Sequence, residues 1–95
     1  MSVASNWFVY MLRCADGSLY TGVTTDITRR IEQHNSTRQG AKYTRHRRPV
    51  SLVYCEEFLG RAAAQKRECE IKKLDKSSKE AMIERYSKHT HSAVQ

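Results

Sequence analysis

Two tyrosines, Tyr10 and Tyr20, lie ten residues apart in a segment rich in strand-forming residues, with Ala15-Asp16-Gly17 between them. A phenol hydroxyl can orient a water molecule or contact a phosphate oxygen by hydrogen bonding. Two such groups beside a basic helix could therefore act on a phosphodiester. The structural alternative is that both rings are packing residues on a sheet, with their hydroxyls at its edge.

The segment around the tyrosines predicts a β-hairpin, because residues 7–13 and 18–24 are rich in β-branched and aromatic residues and the turn contains Asp-Gly. A two-residue loop would send Tyr10 and Tyr20 to opposite faces, since side chains alternate along a strand. A three-residue loop, with Gly17 in the left-handed conformation, would put both on one face. The sequence permits either loop, and a shared site requires the longer one.

A helix is predicted from Asp26, which can act as an N-cap, to about Asn35. Arg30 and His34 lie one turn apart on it, beside an apolar stripe, so they are expected to face the sheet edge together. Taken alone, each has an ordinary alternative. Arg30 could be a solvated helix cation, and His34 a surface or capping histidine near the helix end.

Positive charge is concentrated in and after this helix. The chain of 95 residues has a formal charge of +7 and a pI of about 9.6, and the stretch from Arg29 to Arg48 contains seven Lys or Arg against the single acid Glu32. Such clustering favours a nucleic acid as partner over a merely solubilising surface. Residues 36–49 lack apolar periodicity and predict a long surface loop that contacts this partner.

The second half of the chain predicts one strand and two helices. Residues 50–55 indicate a central strand, because they are apolar on both faces. A helix follows over about residues 61–73. Its buried side is expected to carry Ala64, Ile71 and Leu74.

The C-terminal region contains Ser77-x-x-Glu80, a capping box that predicts a short third helix. The polar residues beyond Ser87 are expected to fray. Together these elements predict a small α+β protein, with a single domain over residues 1–88 and a flexible tail over residues 89–95.

The cysteines and the hydropathy restrict the class of protein further. Cys14, Cys55 and Cys69 are odd in number and widely spaced, so they indicate neither a disulfide framework nor a structural zinc site. No stretch approaches the roughly 18 apolar residues that a membrane helix needs. We therefore expect a cytoplasmic protein with reduced thiols and no membrane partner.

The order of these residues resembles that of the GIY-YIG nuclease superfamily, and in particular the small single-domain bacterial proteins of the YhbQ type. The likeness covers about residues 7–75. It is carried by Tyr10, Tyr20-Thr21-Gly22-Val23-Thr24-Thr25-Asp26, Arg29-Arg30-x-x-x-His34-Asn35 and Glu68-Cys69-Glu70-Ile71-Lys72. The resemblance implies a three-stranded antiparallel sheet flanked by helices, which cuts nucleic acid with one divalent metal ion.

The resemblance also implies roles for single residues. Glu68 matches the metal-binding glutamate, and its hard oxygens suit Mg²⁺ or Mn²⁺. Tyr10 would help to deprotonate the attacking water, which requires a phenol pKa below its usual value of roughly 10. Tyr20 would orient the water or the phosphate, Arg30 would contact phosphate oxygens, and His34 would hydrogen-bond Tyr10 or relay its proton.

Some matches are weaker than others. Helical periodicity does not separate Glu68 from Glu70, and only the position before Ile71-Lys72 in the family pattern selects Glu68. The glycine and isoleucine of the first motif are Phe8 and Val9 here, and no asparagine occurs after Asn35, where some family members have one.

The function implied by the resemblance is a metal-dependent endonuclease acting on DNA, in particular on branched, flapped or damaged DNA in repair or recombination. RNA is a further substrate class, because phosphate contacts do not discriminate the sugar. The alternative is a nucleic-acid-binding module that cuts poorly or only with a partner. In both cases the backbone contacts are expected from Lys42, Tyr43, Arg45, Arg47, Arg48 and Lys72.

Overall fold

A computed structural model describes residues 6–36 and 40–94 of the chain, with the side chains of residues 89–94 left out of the description. Three strands and four helices make up the described part. In chain order they are β1 (Asn6–Arg13), β2 (Leu19–Thr24), α1 (Ile27–Ser36), α2 (Lys42–Arg45), β3 (Ser51–Leu59), α3 (Arg61–Lys72) and α4 (Lys76–Val94). The α+β architecture with a three-stranded antiparallel sheet is confirmed.

The hairpin between β1 and β2 has the three-residue loop. The Cys14 amide donates to the Ser18 carbonyl at 2.9 Å, and Gly17 has a φ of 85°, a left-handed conformation that glycine adopts without steric cost. The register pairs Tyr10 with Gly22 and places Tyr20 two residues before that glycine on β2. Tyr10 and Tyr20 therefore share one face of the sheet.

The central strand is β1, and the prediction that residues 50–55 form a central strand is wrong. The strand order is β2-β1-β3, so β3 pairs only with β1 within the described residues. Its two apolar faces have a different cause. Leu52 packs into the core on one side of the sheet, whereas Val53 and Tyr54 border the core on the other side, so an edge strand is covered by both layers.

Two hydrophobic cores lie on opposite faces of the sheet. One lies beneath α1, where Ile27 and Ile31 pack beside Tyr10 and Leu12. The other lies beneath α3 and α4 and is centred on the fully buried Val9, Met11, Ala64, Ile71 and their neighbours. Burial on both faces holds β1 rigidly in the middle, so the side chains that β1 and β2 carry have a fixed support.

The first helix begins where the sequence predicts. An Asp26 carboxylate oxygen accepts from the Arg29 amide at 3.1 Å, which is the hydrogen bond of an N-cap residue. The following segment differs from the prediction, because the expected surface loop contains α2 and buries Thr44 completely. On α3, Ala64 and Ile71 are buried as predicted, but Leu74 lies beyond the helix end and is 37% exposed.

The last helix is longer than predicted and has a different cap. Asp75, not Ser77, accepts the Ser78 amide at 2.8 Å. Glu80 does not fold back on the helix start; it receives two hydrogen bonds, of 2.6 and 2.7 Å, from Arg13 on β1. The backbone is helical to Val94, and the flexible tail expected for residues 89–95 stays a prediction. Gln95 lies outside the described residues.

Among the residues that the structure describes, no helix combines the length and the apolar character needed to cross a bilayer.

Candidate active site

Tyr10 and Tyr20 meet over Gly22 at the β2 side of the sheet. Their ring centroids are 6.3 Å apart. A Cβ atom at position 22 would lie 2.6 Å from the Tyr10 hydroxyl oxygen and 3.0 Å from a carbon of the Tyr20 ring, closer than real contacts allow. The glycine after the second tyrosine is therefore required by the close approach of the two rings, not by an unusual backbone angle.

His34 lies beneath the two rings and is fully buried. Its Nε2 atom is 2.9 Å from the Tyr10 hydroxyl, and its Nδ1 atom is 2.8 Å from the Thr44 hydroxyl. The Ala41 amide also donates to Nδ1, at 3.3 Å. These contacts fit both neutral tautomers, because the Ala41 amide requires an unprotonated Nδ1, whereas a Thr44 hydroxyl that donates to the Ala41 carbonyl at 2.9 Å requires a protonated one. In either tautomer Nε2 and the Tyr10 hydroxyl share one buried hydrogen bond.

The charges of Arg30 and Glu68 both change the pKa of the Tyr10 phenol. Burial is the main cause that raises the pKa of Tyr10, to about 12; a hydrogen bond and the charge of Arg30 oppose this rise, and the negative charge of Glu68 adds to it. The expectation of a lowered phenol pKa is therefore wrong for the protein by itself. The same interactions place Arg30 and Glu68 close to Tyr10.

Glu68 and Glu70 have different surroundings, although they lie two residues apart on α3. The Glu68 side chain is 18% exposed and pairs with Lys72 at 3.1 Å. The Glu70 side chain is 51% exposed and pairs with Arg67. The charge of Glu68 is among the causes that raise the pKa of Tyr10. The structure therefore brings Glu68 close to the tyrosine pair.

The site thus contains two phenols, a guanidinium, a neutral imidazole and one carboxylate at one sheet edge, in the chain order of a known catalytic domain. Residues 6–92 match the GIY-YIG catalytic domain. The chain belongs to the GIY-YIG family. GIY-YIG is a nuclease family whose members act on nucleic acids and generally depend on a divalent metal.

Similar proteins of comparable length have the same fold. A UPF0213 protein of Desulfotalea psychrophila is 56% identical over 77 residues, which are 81% of this chain and 70% of that protein. The solution NMR structure of the UPF0213 protein from Bacillus halodurans is 46% identical and has a TM-score of 0.54, with 83% of each chain covered. A second NMR structure, of a protein from E. faecalis, is 43% identical and has a TM-score of 0.58, covering 96% of this chain and 92% of that one.

Part of the basic segment supports the GIY-YIG site from within the protein. Arg48 donates through Nε to the His34 carbonyl. Arg47 donates to the Tyr43 carbonyl at 2.8 Å, and its guanidinium carbon lies 4.1 Å from the centroid of the Tyr43 ring. Arg47 also lies 3.2 Å from a carboxylate oxygen of Asp16 in the hairpin loop. These two arginines tie the segment after α2 to α1 and to the hairpin.

The other predicted contact residues of this segment lie nearer the surface. Tyr43 is 39% exposed, and its ring centroid is 6.0 Å from that of Tyr20. Lys42 and Arg45 are exposed on α2. Lys72 lies on α3, away from this segment, as the ion-pair partner of Glu68.

Two supporting residues of the GIY-YIG site have no signal in the sequence that assigns them a role. Thr44 is fully buried and holds His34, while its hydroxyl is also 2.9 Å from the Ala41 carbonyl. Asn35 bonds both backbone groups of Val50, at 2.7 and 3.0 Å, and so fixes the chain where it enters β3. A buried threonine beside a histidine is recognisable only once the fold of residues 40–49 is known.

The donor set of this GIY-YIG site fits a cation held by a single protein carboxylate. Within the described residues, no three Asp, Glu, His or Cys side chains group together as a metal cage. Glu68 is mostly buried and pairs with the side chain of Lys72, which is itself 53% exposed. Mg²⁺ commonly uses one or two carboxylates, retains several waters and takes further oxygens from a substrate phosphate. Glu68 would be the protein ligand in such an arrangement.

Burial makes His34 a source of pH-dependent stability. Its pKa is lowered to about 4, chiefly by burial and further by the charges of Arg30 and Arg48. Between pH 6.5 and 4 the unfolded chain therefore binds a proton that the folded chain does not. We expect the free energy of unfolding to be unaffected by this group above pH 6.5 and to fall, by at most about 3 kcal/mol, as the pH drops through 4.

The measurement is an NMR titration of the histidine rings together with thermal unfolding at pH 7, 6, 5 and 4. The exposed His46 supplies a second histidine signal for comparison in the same spectra. A His34 signal that titrates near the ordinary histidine value of roughly 6.5, with no change in melting temperature over this range, would contradict the prediction.

Proposed function

We propose that this protein is an endonuclease that hydrolyses DNA phosphodiester bonds with Mg²⁺ or Mn²⁺, and that it acts on branched, flapped or damaged DNA in repair or recombination. The observation that carries the proposal is the buried hydrogen bond between His34 and Tyr10, at 2.9 Å, beside Arg30 and Glu68. A packing tyrosine does not need a buried histidine hydrogen-bonded to its oxygen. A phenol that must exchange a proton does.

The proposed chemistry divides the work among five side chains. Tyr10 exchanges a proton with the attacking water, and His34, hydrogen-bonded to the Tyr10 oxygen, holds the phenol in place or relays its proton. Tyr20 orients the water or the phosphate. Arg30 contacts the non-bridging phosphate oxygens, where charge changes in the transition state. Glu68 would hold the divalent cation, which supplies polarisation of the phosphate and stabilisation of the leaving oxygen when bound.

The high pKa of Tyr10 sets a condition on this role. At about 12, nearly all of the phenol is neutral at pH 7. Tyr10 can then accept a proton only where positive charge near its oxygen offsets the burial. Arg30 already lowers the pKa, and a cation on Glu68 would remove the opposing effect of that carboxylate. Substrate and cation are therefore proposed to complete the base, which keeps the free protein inactive.

The proposed substrate is DNA bound through its backbone. Lys42, Arg45 and Lys72 are exposed cations around the site, and contacts of this kind position a strand without reading its sequence. Tyr43, exposed beside Tyr20, offers an aromatic ring to an unstacked base, which favours substrates with branches or single-stranded ends. Arg47 and Arg48 would act indirectly, by fixing this segment. RNA with similar single-stranded features is a second substrate class.

A nucleic-acid-binding module that cuts little is the second candidate function, and two observations favour it. The Tyr10 pKa is raised rather than lowered, and the Glu68 carboxylate is paired with Lys72. Both features would reduce the activity of the site without reducing its positive charge.

Cleavage of a labelled branched DNA by the purified protein in Mg²⁺, Mn²⁺ and EDTA tests the proposal. We expect metal-dependent nicking by the natural protein and a loss of roughly 10²- to 10³-fold in Arg30→Ala, the cost typical of removing one donor to developing charge. Arg29→Ala is the matched control, because Arg29 is an exposed neighbour on the same helix. Binding of the DNA without any metal-dependent nicking would replace the nuclease by the binding module.

A further inference from the structure

A basic pocket lies at the hairpin end of the sheet, separate from the tyrosine pair of the active site. Its volume is about 210 Å³, and it is lined by Ser18 and Leu19 of the hairpin, Tyr43 of α2, and Lys76 and Lys79 at the start of α4. This is smaller than the pockets of roughly 300 Å³ and above that enclose drug-sized ligands. The size suits a phosphate with part of a sugar.

The charge of this pocket comes from the two lysines. Lys76 donates from Nζ to the Gly17 carbonyl at 3.1 Å, which holds the ammonium at the hairpin and leaves two of its three hydrogens for other acceptors. Lys79 lines the same pocket and is only partly exposed. The Ser18 hydroxyl already donates to Asp16 at 2.6 Å, so an anion in the pocket would be bound by the lysines and not by this serine.

The carboxylates near this pocket interact with other groups of the protein. Asp16 lies 3.2 Å from Arg47, and Glu80 receives two hydrogen bonds from Arg13, although Glu80 also feels the charge of Lys76. Asp75 accepts the Ser78 amide as the cap of α4. The pocket therefore keeps a net positive charge, which is unlike a surface where each lysine faces its own carboxylate.

The pocket and the active site lie along the same edge of the sheet. β2 is an outer strand, and Leu19 at its start lines the pocket while Gly22 lies beneath the tyrosine pair. Three residues along a strand span about 10 Å. Tyr43 connects the two places, since it lines the pocket and its ring lies 6.0 Å from that of Tyr20. Phosphates of one strand in a duplex are about 3.4 Å apart along the axis, so this span corresponds to about three nucleotides or fewer.

We propose that the pocket formed by Lys76, Lys79 and Tyr43 binds a backbone phosphate of the nucleic-acid strand, within about three nucleotides of the phosphate that is cut. This inference rests on the proposed nucleic-acid substrate. In this proposal the beginning of α4 binds substrate, and the nucleic-acid strand follows the outer edge of β2. A free phosphate or mononucleotide has the same chemistry but lacks the second anchor at the active site.

The test is fluorescence anisotropy with a labelled 12-nucleotide single-stranded DNA in EDTA, so that binding is read without cleavage. Lys76→Gln and Lys79→Gln are each expected to weaken binding about three- to tenfold and to reduce the dependence of log affinity on log salt concentration by about one unit. Lys88→Gln is the matched control, because it removes the same charge from the same helix at a side chain that is 75% exposed. It should stay within twofold of the natural protein.

A second experiment distinguishes a contact between the pocket and one particular phosphate from non-specific electrostatic attraction to the DNA. One neutral methylphosphonate is moved along the 12-nucleotide DNA, and the position that weakens binding to the natural protein should cause no further loss in Lys79→Gln. Competition by inorganic phosphate or a mononucleotide at concentrations below those that screen all binding would instead assign the pocket to a free ligand and overturn the proposal. Melting temperatures control for folding, and Lys79 is the safer variant because its side chain forms no hydrogen bond to the rest of the described chain.

The outcomes for this pocket and for the nuclease are distinguishable. If the protein nicks DNA but both lysine variants bind like Lys88→Gln, the pocket inference is wrong and the nuclease proposal stands. If the lysine variants lose affinity while the natural protein does not nick, the pocket stands and the nuclease proposal is wrong. An absence of DNA binding by the natural protein would overturn both.

Discussion

Replacing Glu68 by glutamine is expected to reduce metal-dependent cleavage by about 10³-fold or more while the protein stays folded. The change keeps the shape of the side chain and removes the charge that would hold the cation, whose contribution to phosphoryl-transfer transition states amounts to several kcal/mol, or roughly tenfold in rate per 1.4 kcal/mol. Stability should change little, because the ion pair that is lost, with Lys72, is half exposed.

The matched control is Glu70→Gln, on the same helix two residues further on. Its carboxylate is 51% exposed and pairs with Arg67, so cleavage by this variant should stay within about twofold of that of the natural protein. Mn²⁺ binding measured by electron paramagnetic resonance, without substrate, gives a readout that does not depend on cleavage. Equal loss of activity in both variants, or undiminished Mn²⁺ binding by Glu68→Gln, would reject Glu68 as the metal ligand.

The distinction between these two glutamates shows where the sequence stops being informative. Both flank the apolar stripe of α3, and helical periodicity fixes a side chain's direction only to within the width of that stripe. What separates them is the position of α3 relative to β2, which is a tertiary property. The likeness to the GIY-YIG family identified Glu68, because a family pattern records tertiary placement that periodicity does not contain.

The hairpin and the basic segment show the same limit at shorter range. Both loop lengths were compatible with Ala15-Asp16-Gly17, and the structure decides for three residues, with the Cys14–Ser18 hydrogen bond closing the turn. Residues 36–49 show no apolar period because α2 is only four residues long and buries a single side chain, Thr44. One buried residue in one helical turn leaves no periodic signal.

The predictions that succeeded depend on local chemistry. The N-cap at Asp26 and the one-turn spacing of Arg30 and His34 are properties of one helix, and both are present in the structure. The wrong prediction for β3 came from interpreting two apolar faces as a central strand. In a three-stranded sheet with helices on both sides, both faces of an edge strand are also buried. Two apolar faces therefore indicate that helices cover both sides of the sheet, and do not show whether the strand is central or at the edge.

Replacing Tyr10 by phenylalanine is the sharpest test of the proposed base. We expect cleavage to fall by about 10²- to 10⁴-fold, the range typical of removing a general acid or base. The same change leaves the buried Nε2 atom of His34 without its hydrogen-bond partner, which should lower the free energy of unfolding by roughly 1–3 kcal/mol. Rates must therefore be measured well below the melting temperature of the variant.

The pH dependence of cleavage separates the chemical role of Tyr10 from a structural one. If Tyr10 must lose its proton, the rate of the natural protein should rise about tenfold per pH unit below the phenol pKa, and this rise should be lost in Tyr10→Phe, where the group that titrates is gone. Tyr54→Phe is the matched control, because that hydroxyl donates to Glu56 at 2.7 Å on β3, outside the site. A Tyr10→Phe protein that cuts at a rate within threefold of the natural one, with the same slope against pH, would show that the phenol only packs. The buried His34 would then be a support for the sheet edge, and the reaction would depend on Arg30, Glu68 and its cation alone.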